Sequence, residues 1–375
     1  MKQLLTVLSA RASYSRVRTV LLNLRDMDDI NSHVVLIASA ASTKYGKLER
    51  FLQKDGIEIN WKIESQADAA LESSMVRTTS YSMLGITDYI LNNKIDGVLI
   101  IADRHETIAG SIASSYLNRT TFHLLGGETS GNIDNKVRYA NSFLSDYHFV
   151  ATHKSKVRLE DCGIQPSSVF NTGCPSLDYV PKVTELNSIP IHNLQSGVGL
   201  DSDELFKDRY IVVLQHTETT CQLNPRTQVR ATIDAVEKLQ IPTLWIWPNS
   251  DSGSDELIRE IAVARESGKL MHAHFERSVE PQLFLSILNG ADCVIGNSSV
   301  AIRECSLLGV PAVNIGGRQK NRERAQNIID SEFLSENIYQ TILQQIEHGR
   351  YEPSQLYGDG KSGERVAGLI RELLI

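Results

Sequence analysis

The sequence predicts an α/β protein made of two halves, each built on a parallel β-sheet with crossover helices. The first observation is size: 375 residues, 41% of them hydrophobic and 22% charged, suffice for about two domains with separate cores. The second is that short β-rich runs alternate with segments of helical period, as parallel sheets require. The third is a stretch rich in proline and glycine, Ser176 to Leu205, which lacks this alternation and predicts a linker.

Eight β-rich runs predict strands, four in each half. They are LLTVLSA at 4–10, HVVLIASA at 33–40, GVLIIAD at 97–103, TFHLLGG at 121–127, YIVVLQH at 210–216, TLWIWPN at 243–249, DCVIGNSS at 292–299 and PAVNIGG at 311–317. The closing GERVAGLIRELLI has apolar residues at helical spacing, which predicts a last helix. We therefore expect a first domain at 1–175, a linker at 176–205, a second domain at 206–355 and a C-terminal helical segment at 356–375.

Charge and composition exclude several classes of protein. A formal charge of −7 with scattered Lys and Arg leaves no basic stripe, so nucleic acid is not an expected partner. No window approaches the roughly 18 apolar residues of a membrane span, and the opening MKQLLTVLSARAS is interpreted as a strand rather than a signal peptide. Five cysteines without a CxxC pair indicate a reducing, cytoplasmic location and no zinc ribbon.

Polar residues follow most of the predicted strands. They are Arg11, Asp103, Glu128, His216, Asn249 and Asn297 to Ser299. Parallel sheets bind ligands outside the carboxyl ends of their strands, so two sheets that face each other would gather these groups into one cleft. The alternative is that each residue is simply the polar start of a loop.

The stretch GNSSVAIRE at 296–304 predicts an anion site. A Gly-Asn-Ser-Ser turn between a strand and a helix leaves backbone N–H groups unpaired at the helix N-terminus, and the hydroxyls of Ser298 and Ser299 add donors. Glu304, a turn and a half along, could bind the two hydroxyls of a ribose. The alternative is ordinary N-capping by Asn297 or Ser298.

The next predicted strand leads into NIGGRQKNRER at 314–324, which supplies cations. Arg318 and Arg322 could reach a diphosphate, and the alternative is that they are solvated surface arginines. No GxxxxGK[ST] or GxGxxG motif follows a strand, which excludes a Walker-type triphosphate site and a dinucleotide fingerprint.

Three acidic residues in the first half are candidate general acids and bases. Asp134 lies in the first turn of a predicted helix, where the helix dipole favours the ionised form. Glu128 lies on a glycine-flanked loop that can approach a ligand closely, and Asp103 follows a neighbouring strand. The alternative makes Asp134 a helix-start charge, Glu128 a surface residue and Asp103 the partner of Arg104 or His105.

Eight ordered motifs make the chain resemble the UDP-N-acetylglucosamine 2-epimerases, above all the hydrolysing branch that releases N-acetylmannosamine for sialic-acid-type sugar synthesis. The motifs are DRHET at 103, GGETSGNIDNKVRYA at 126, GCPSLD at 173, LQHTETT at 214, PNSDSGS at 248, GNSSVAIRE at 296, GGRQKNRER at 316 and YGDG at 357. The resemblance implies two Rossmann-like domains that face a central cleft, as in glycosyltransferase-B folds, with the C-terminal helix returning to the first domain.

The resemblance also implies site residues. The catalytic candidates are Asp103, Glu128 and Asp134, on the sugar side. It implies that UDP is held mainly by the second domain, with contacts at Arg11, His216, Ser298, Ser299, Glu304 and Arg322. Further candidates for binding UDP or substrate are Arg104, Asn249, Asp251, Gly253, Asn297 and Arg318. Because a helix N-terminus and arginines can neutralise UDP, we expect no metal and no cofactor. His272 and His274 stand at alternate positions of a predicted strand. Packing is the commoner role for such a pair, and metal binding is the alternative.

Three departures from the family pattern bear on the sugar. Leu125 stands where well-known members have an acid/base Glu, although Glu128 is retained. Ser13 stands where the family often has Asp, and Ala40 lies where a histidine often follows the second strand. The implied reaction is UDP-N-acetylglucosamine plus water to N-acetylmannosamine plus UDP through a glycal.

Four functions stay open at this stage. The first is the hydrolysing 2-epimerase, and the second is the same reaction on a UDP-2,4-diacetamido-2,4,6-trideoxyhexose, as in legionaminic-type pathways. A glycosyltransferase and a catalytically inactive nucleotide-sugar binder are the others. The expected partners are a UDP-sugar and further copies of the chain, as a dimer or a tetramer, with no nucleic acid and no membrane.

Overall fold

The computed structural model describes residues 1–42, 48–67, 73–129, 134–181, 194, 197–248, 253–277 and 279–375. The chain divides into two compact units. The first consists of Met1–Glu128, Ile133–Asp178 and Tyr357–Ile375, and the second of Thr129–Asn132 and Tyr179–Leu356. Much of the predicted linker, residues 182–193 and 195–196, lies outside the described residues.

The first unit is built on a seven-stranded parallel sheet. Its strands are β1 (Lys2–Leu8), β2 (Ile30–Leu36), β3 (Trp61–Lys62), β4 (Gly97–Ile101), β5 (Thr120–Leu124), β6 (Tyr147–Val150) and β7 (Val169–Asn171). Their order across the sheet is β3-β2-β1-β4-β5-β6-β7. Because β1 lies in the interior, the order reverses between β1 and β4, which is where open parallel sheets form their ligand crevice.

Helices follow the strands of the first unit along the chain. They are α1 (Arg11–Ser15), α2 (Arg18–Arg25), α3 (Ala38–Ala41), α4 (Leu48–Lys54), α5 (Ser74–Asn92), α6 (Ile108–Tyr116), α7 (Asp134–Phe143) and α8 (His153–Asp161). One core cluster joins side chains of β1, β2 and β4, such as Leu5, Val35 and Ile100, to Ile86 and Ala109 of α5 and α6. Strands buried in this way carry continuous apolar runs, which is why the sequence reveals them.

The second unit has a seven-stranded sheet with one antiparallel edge. Its strands are β8 (Val198–Gly199), β9 (Ile211–Leu214), β10 (Thr243–Ile246), β11 (Ala273–Glu276), β12 (Cys293–Gly296), β13 (Ala312–Ile315) and β14 (Ile328–Ser331), in the order β14-β13-β12-β9-β10-β11-β8. The antiparallel strand β8 comes from the segment that the sequence assigned to the linker.

Helices cover the second sheet as they do the first. They are α9 (Ser202–Leu205), α10 (Pro225–Leu239), α11 (Ser254–Glu266), α12 (Pro281–Gly290), α13 (Glu304–Leu308) and α14 (Ser335–His348). The core cluster is centred on the fully buried Trp245 and Phe275, whose ring centroids lie 5.9 Å apart, with Val229 and Ile261 from the helices. Each unit therefore has its own core.

The last helix, α15 (Ser362–Leu374), belongs to the first unit, where it packs on α2. The buried carboxylate of Asp178 accepts hydrogen bonds from the first helical amides, Ser362 N at 2.9 Å and Gly363 N at 2.7 Å. It also accepts one from Thr19 Oγ1 at 2.6 Å. A carboxylate at this end satisfies unpaired N–H groups and suits the helix dipole, so Asp178 fixes the C-terminal helix to the unit.

Candidate functional site

In the first unit, three predicted site residues follow three neighbouring strands. Arg11 comes after β1, Asp103 after β4 and Glu128 after β5. Because β1, β4 and β5 are adjacent and parallel, their carboxyl ends meet at one edge of the sheet. Arg11, Asp103 and Glu128 therefore lie at the same end of the sheet, as the strand pattern of the sequence predicts.

Asp103 is held by two arginines. Its buried carboxylate forms an ion pair with Arg138 and lies 3.7 Å from the Nη1 atom of Arg16. Arg104 and His105, the partners considered for Asp103 from the sequence, both pair with Glu106. Two cations beside one carboxylate neutralise it and fix its orientation.

Arg138 connects Asp103 to the loop that carries Glu128. Only 1% of Arg138 is exposed, and its Nη1 atom donates to the Glu128 carbonyl oxygen at 2.8 Å and to Asn135 Oδ1 at 3.2 Å. Its Nη2 atom pairs with the Asp103 carboxylate. The sequence pattern alone did not indicate Arg138 as a site residue. The available signal was its place four positions after Asp134, which puts both on one helix face.

The loop before Glu128 is tightly fixed. Gly127 has a φ of +72°, and a Cβ atom there would collide with the backbone of Ser155, so no side chain fits. The Gly127 carbonyl accepts a hydrogen bond from Arg158. Glu128 itself is only 4% exposed, so the alternative that placed it at the surface is wrong. Two arginines thus hold consecutive carbonyls and position Glu128.

Asp134 is the first residue of α7, which agrees with its expected place in a first turn. Its side chain and residues 130–133 lie outside the described residues. The structure therefore gives the position of Asp134 in the chain but no contacts of its carboxylate.

Glu106 organises the DRHET motif. This side chain is fully buried, and its carboxylate lies 2.6 Å from Arg104 Nε and 2.9 Å from His105 Nδ1. Burial raises the pKa of Glu106, but the hydrogen bond from His105 and the charge of Arg104 outweigh it and lower the pKa to about 2. The sequence predicted Arg104 as a substrate ligand and overlooked Glu106, which holds it.

Arg11 is a half-buried cation at the end of β1. Its guanidinium carbon lies 5.3 Å from the centroid of the Phe51 ring, in cation–π range. Burial lowers the pKa of Arg11, and across the described parts of the chain no carboxylate pairs with it. A partly buried arginine without a counter-ion suits an anionic ligand.

The ends of the central strands carry strained backbone. Ala38, Ala102 and Leu125, which follow β2, β4 and β5, have φ values of +48°, +57° and +65°. Left-handed non-glycine residues are uncommon and concentrate at functional sites. Leu125 is 1% exposed, so this residue contributes apolar packing at the edge. His123 helps hold the region, since its Nε2 atom lies 2.9 Å from the Ala102 carbonyl oxygen.

In the second unit, the predicted site residues again follow adjacent strands. His216 comes after β9, Asn297 after β12 and Gly253 in the connection after β10. The Asn297 amide binds both polar groups of the His216 main chain, at 2.7 Å to N and 2.8 Å to O. Asn297 is fully buried. These contacts favour a role for Asn297 in positioning His216.

The anion site at Ser298 and Ser299 differs from its prediction. The helix expected to start there begins only at Glu304, so α13 has five residues and the two serines precede it in a turn. In that turn, the N–H groups of Ile302 and Arg303 bond to the Ser299 carbonyl. The N–H groups of Ser298 and Ser299 donate to no acceptor among the described residues. The Ser298 and Ser299 amides are therefore available to an anion, but they do not belong to the first turn of a helix.

Cations from the loop after β13 line a cavity. A space of about 290 Å³ is bordered by Lys320, Arg322 and Arg324, together with Gly316, Gly317, Asn321 and Asp330. Arg318 instead donates to the Asn297 carbonyl oxygen at 3.3 Å. A cavity of about 670 Å³ shares the two glycines and Asp330, and none of the predicted site residues lines it. Arg322 is thus the predicted residue that borders the cationic space.

Of the remaining predicted residues of the second unit, the structure describes Gly253 and Glu304 but not Asn249 and Asp251. Gly253 has a φ of +82° and precedes α11, where a Cβ atom would lie 3.1 Å from Thr217, next to His216. Glu304 is the first residue of α13. Asn249 and Asp251 lie outside the described residues.

Within the described residues the structure shows neither a metal-binding cluster nor a membrane-spanning helix. No group of three His, Cys, Asp or Glu side chains in these ranges could hold a metal ion. His274 Nδ1 lies 2.7 Å from the Leu200 carbonyl oxygen, a contact that ties β11 to the edge strand. Where the structure describes helices, none is both long and apolar enough to cross a membrane.

Comparison with known proteins now identifies the family. The family model for UDP-N-acetylglucosamine 2-epimerase matches residues 23–371, almost the whole chain. The chain therefore belongs to the UDP-N-acetylglucosamine 2-epimerase family and is an enzyme of that family.

Relatives and solved structures agree over the full length. The UDP-N,N'-diacetylbacillosamine 2-epimerase (hydrolyzing) of Legionella pneumophila is 30% identical over 99% of this chain and 96% of the relative. The UDP-N-acetylglucosamine 2-epimerase of Neisseria meningitidis serogroup B is 26% identical over 99% and 95%. A solved Methanocaldococcus jannaschii UDP-GlcNAc 2-epimerase, in complex with UDP-GlcNAc and UDP, matches with a TM-score of 0.81 and 16% identity over 99% of both chains. The predicted fold, two Rossmann-like α/β domains of the glycosyltransferase-B type, is confirmed.

Proposed function

We propose that this protein is a hydrolysing 2-epimerase that converts UDP-N-acetylglucosamine and water into N-acetylmannosamine, a precursor for sialic-acid-type sugars, and UDP. The observation that carries the hydrolysing reaction is the Legionella relative, 30% identical along 99% of the chain, whose name specifies that reaction. The family model and the Neisseria relative, both named for UDP-N-acetylglucosamine, support the sugar. The carboxylates at the sheet edge of the first unit support it, because the reaction consists of proton transfers.

The chemistry requires two proton transfers at C2. A base removes the C2 proton while the C1–O bond to UDP breaks, its electrons leave with UDP, and a C1–C2 double bond forms. Water then adds at C1, and an acid returns a proton to C2 from the opposite face, which inverts C2. Each proton transfer by a positioned group contributes roughly 10²–10⁴ in rate.

We assign these transfers to Glu128 and Asp134. Asp103 is committed to Arg138 and Arg16, so it serves best as the anchor that fixes the site. Glu128 is supported by its rigid position, since arginines hold its own carbonyl and that of Gly127. Asp134 is supported by its place in the first turn of α7, where the dipole favours a carboxylate.

We assign UDP to the second unit, and Arg11 stays a predicted anion ligand in the first unit. Three features support this assignment. They are the free amides of Ser298 and Ser299, the cavity lined by cations that Arg322 borders, and His216, whose main chain is held by the Asn297 side chain. Arginines and backbone amides bind diphosphate through charge-assisted hydrogen bonds, so UDP can be held by protein groups alone. Glu304 is the candidate ligand for the ribose hydroxyls.

A second substrate is favoured by one specific observation. Two relatives of this chain, from Legionella pneumophila and Campylobacter jejuni, are named as hydrolysing epimerases of diacetylbacillosamine nucleotides. That sugar carries a second acetamido group and lacks the 6-hydroxyl, so it is less polar than N-acetylglucosamine. Apolar Leu125 at the sheet edge is compatible with such a substrate.

The test is a direct comparison of both nucleotide sugars by NMR. We expect free UDP in the ³¹P spectrum and a free 2-epimeric sugar in the ¹H spectrum, in equal amounts. The substrate with the higher kcat/KM identifies the sugar. Formation of the UDP-linked epimer without free UDP would exclude the hydrolysing reaction, and sugar transfer to an added acceptor would point to a glycosyltransferase.

A further inference from the structure

Two loops of the second unit meet through the side chain of Glu218. This half-buried residue lies in the β9 loop, defined as residues 215–224. Its Oε2 atom accepts a hydrogen bond at 2.7 Å from the backbone N–H of Gly317, in the β13 loop, defined as residues 316–327. Among the described residues no cation pairs with the Glu218 carboxylate. The carboxylate therefore acts on the β13 loop through a hydrogen bond to its main chain.

The two glycines that begin the β13 loop leave room for this carboxylate. A Cβ atom on Gly316 would lie 2.5 Å from Glu218 Oε2, and one on Gly317 would lie 2.8 Å from Oε1. Both distances are too short for atoms that are not bonded, so a side chain at either position would displace the carboxylate. Both glycines border the cationic cavity of about 290 Å³, whereas Glu218 borders only the cavity of about 670 Å³. Glu218 thus contacts the wall of the cationic cavity without lining it.

Glu218 is itself fixed by a buried side chain of α10. Gln228 is fully buried, and its Oε1 atom accepts a hydrogen bond from Glu218 N at 3.0 Å. Its Nε2 atom donates to the carbonyl oxygens of Glu218 at 3.1 Å and of Leu223 at 2.9 Å. Because one buried amide binds both main-chain groups of Glu218, the carboxylate starts from a fixed point of the fold.

The β13 loop in turn contacts the residue that holds His216. Arg318 Nη1 and Gln319 Nε2 both donate to the Asn297 carbonyl oxygen, at 3.3 Å and 2.8 Å. The Asn297 side chain binds the main chain of His216. The hydrogen bonds that begin at α10 and pass through Glu218 therefore continue to residues that we assign to UDP.

We propose that Glu218 is a positioning residue for the diphosphate of the nucleotide sugar, because its hydrogen bond to Gly317 holds the β13 loop in the conformation that binds phosphate. The inference rests on the proposed function, which assigns UDP to the second unit. A positioning role predicts that loss of Glu218 lowers the affinity for UDP, although a negative charge is removed. A carboxylate that only repelled the diphosphate would have the opposite effect, and its loss would raise the affinity.

Calorimetric titration with UDP tests the proposal on two variants. Glu218→Ala should weaken UDP binding roughly tenfold, because the β13 loop loses its anchor. Glu218→Gln should bind UDP nearly as well as the natural chain, since its amide oxygen can accept the same hydrogen bond. In turnover, Glu218→Ala should raise KM and leave kcat within about twofold, because the candidate acids and bases belong to the first unit.

Glu332→Ala is the matched control. Glu332 is an exposed residue that borders the same cavity of about 670 Å³ as Glu218. Its replacement removes the same charge, but within the described chain its carboxylate makes no hydrogen bond to the β13 loop. Glu332→Ala should therefore bind UDP at least as tightly as the natural chain.

Hydrogen exchange of the ligand-free protein, measured by mass spectrometry on peptides that cover the β13 loop, reports on the anchor itself. Exchange should be faster in Glu218→Ala but not in Glu218→Gln, and circular dichroism checks that each variant is folded. Unchanged exchange in Glu218→Ala, or UDP binding by Glu218→Ala as tight as in the natural chain, would overturn the positioning role alone. A natural chain that binds no UDP would contradict the proposed function, and the positioning role with it.

Discussion

The Arg138 guanidinium joins the Asp103 carboxylate to the backbone carbonyl of Glu128. It is buried, and each of its two terminal nitrogens contacts one of these groups. One side chain on α7 therefore couples the residues that follow β4 and β5. Asp103 is engaged through its carboxylate as an ion-pair partner, and Glu128 is held by Arg138 through its main-chain carbonyl oxygen.

Removing Arg138 should damage stability and activity together. Arg138→Met keeps much of the side-chain volume but leaves the Asp103 carboxylate without its buried cation, which should lower the free energy of unfolding by about 3–5 kcal/mol. Urea denaturation measures this change. Arg371→Met is the control, because Arg371 pairs with Asp29 at the surface and should be worth about 1 kcal/mol or less. Equal stabilities of the two variants would show that the buried pair is not structural.

The roles of Asp103 and Glu128 can be separated by comparing amide variants. Glu128→Gln keeps size and should reduce turnover roughly 10²-fold or more with little change in UDP affinity or stability. Asp103→Asn should lose turnover and also stability, because Arg138 is then buried without a counter-ion. Kinetics and urea denaturation on both variants provide the comparison. Near-normal turnover in Glu128→Gln, with Asp103→Asn folded and inactive, would transfer the proton role to Asp103.

The serine turn of the second unit should contribute to UDP binding. Replacing Ser298 and Ser299 together by alanine removes two hydroxyl donors and should weaken UDP by about 1–3 kcal/mol. Isothermal titration calorimetry measures the affinity. Ser267→Ala is the matched control with no expected effect, because Ser267 is an exposed residue directly after α11. Unchanged affinity in the double variant would remove the turn from the UDP site.

Acid stability should depend on Glu106. The pKa of this carboxyl is lowered from 4.5 to about 2 in the folded chain, by His105 and Arg104 acting against burial. A lowered carboxyl pKa stabilises the fold fully above the ordinary value and loses that contribution as pH falls from 4.5 toward 2. In thermal unfolding, Glu106→Gln should be less stable than the natural chain at pH 6, with the difference shrinking below pH 4.5. A constant difference over that range would contradict the assignment.

The sequence predicted the fold well where burial was strongest. All eight apolar runs form strands, because strands covered on both faces carry uninterrupted apolar residues. The strands it missed are short and mixed in polarity. They are β3, β6, β7, β8 and β14, of two to four residues each, and β11 was indicated only by the alternation of His272 and His274. The helix expected at Ser298 begins later, since capping residues indicate a turn as readily as a helix start.

The positions of candidate site residues were predictable where a strand end carried a polar group. Asp103, Glu128 and His216 lie at strand ends as the sequence indicated, and their roles stay predictions. Arg138 and Glu106 were missed because both lie on helical segments, and their roles come from contacts across the fold. Local pattern cannot show that Arg138 reaches two strand ends at once, or that Glu106 takes the partners considered for Asp103.

The most direct test of the central claim is turnover in D₂O. The proposed elimination and rehydration removes the C2 proton and returns one from solvent-exchanged groups, so the released sugar should carry one deuterium at C2 and the inverted configuration, together with one equivalent of UDP. Mass spectrometry and ¹H NMR of the product measure both. A released sugar that retains hydrogen and its original configuration at C2 would contradict the claim, because simple hydrolysis at C1 would then explain the products.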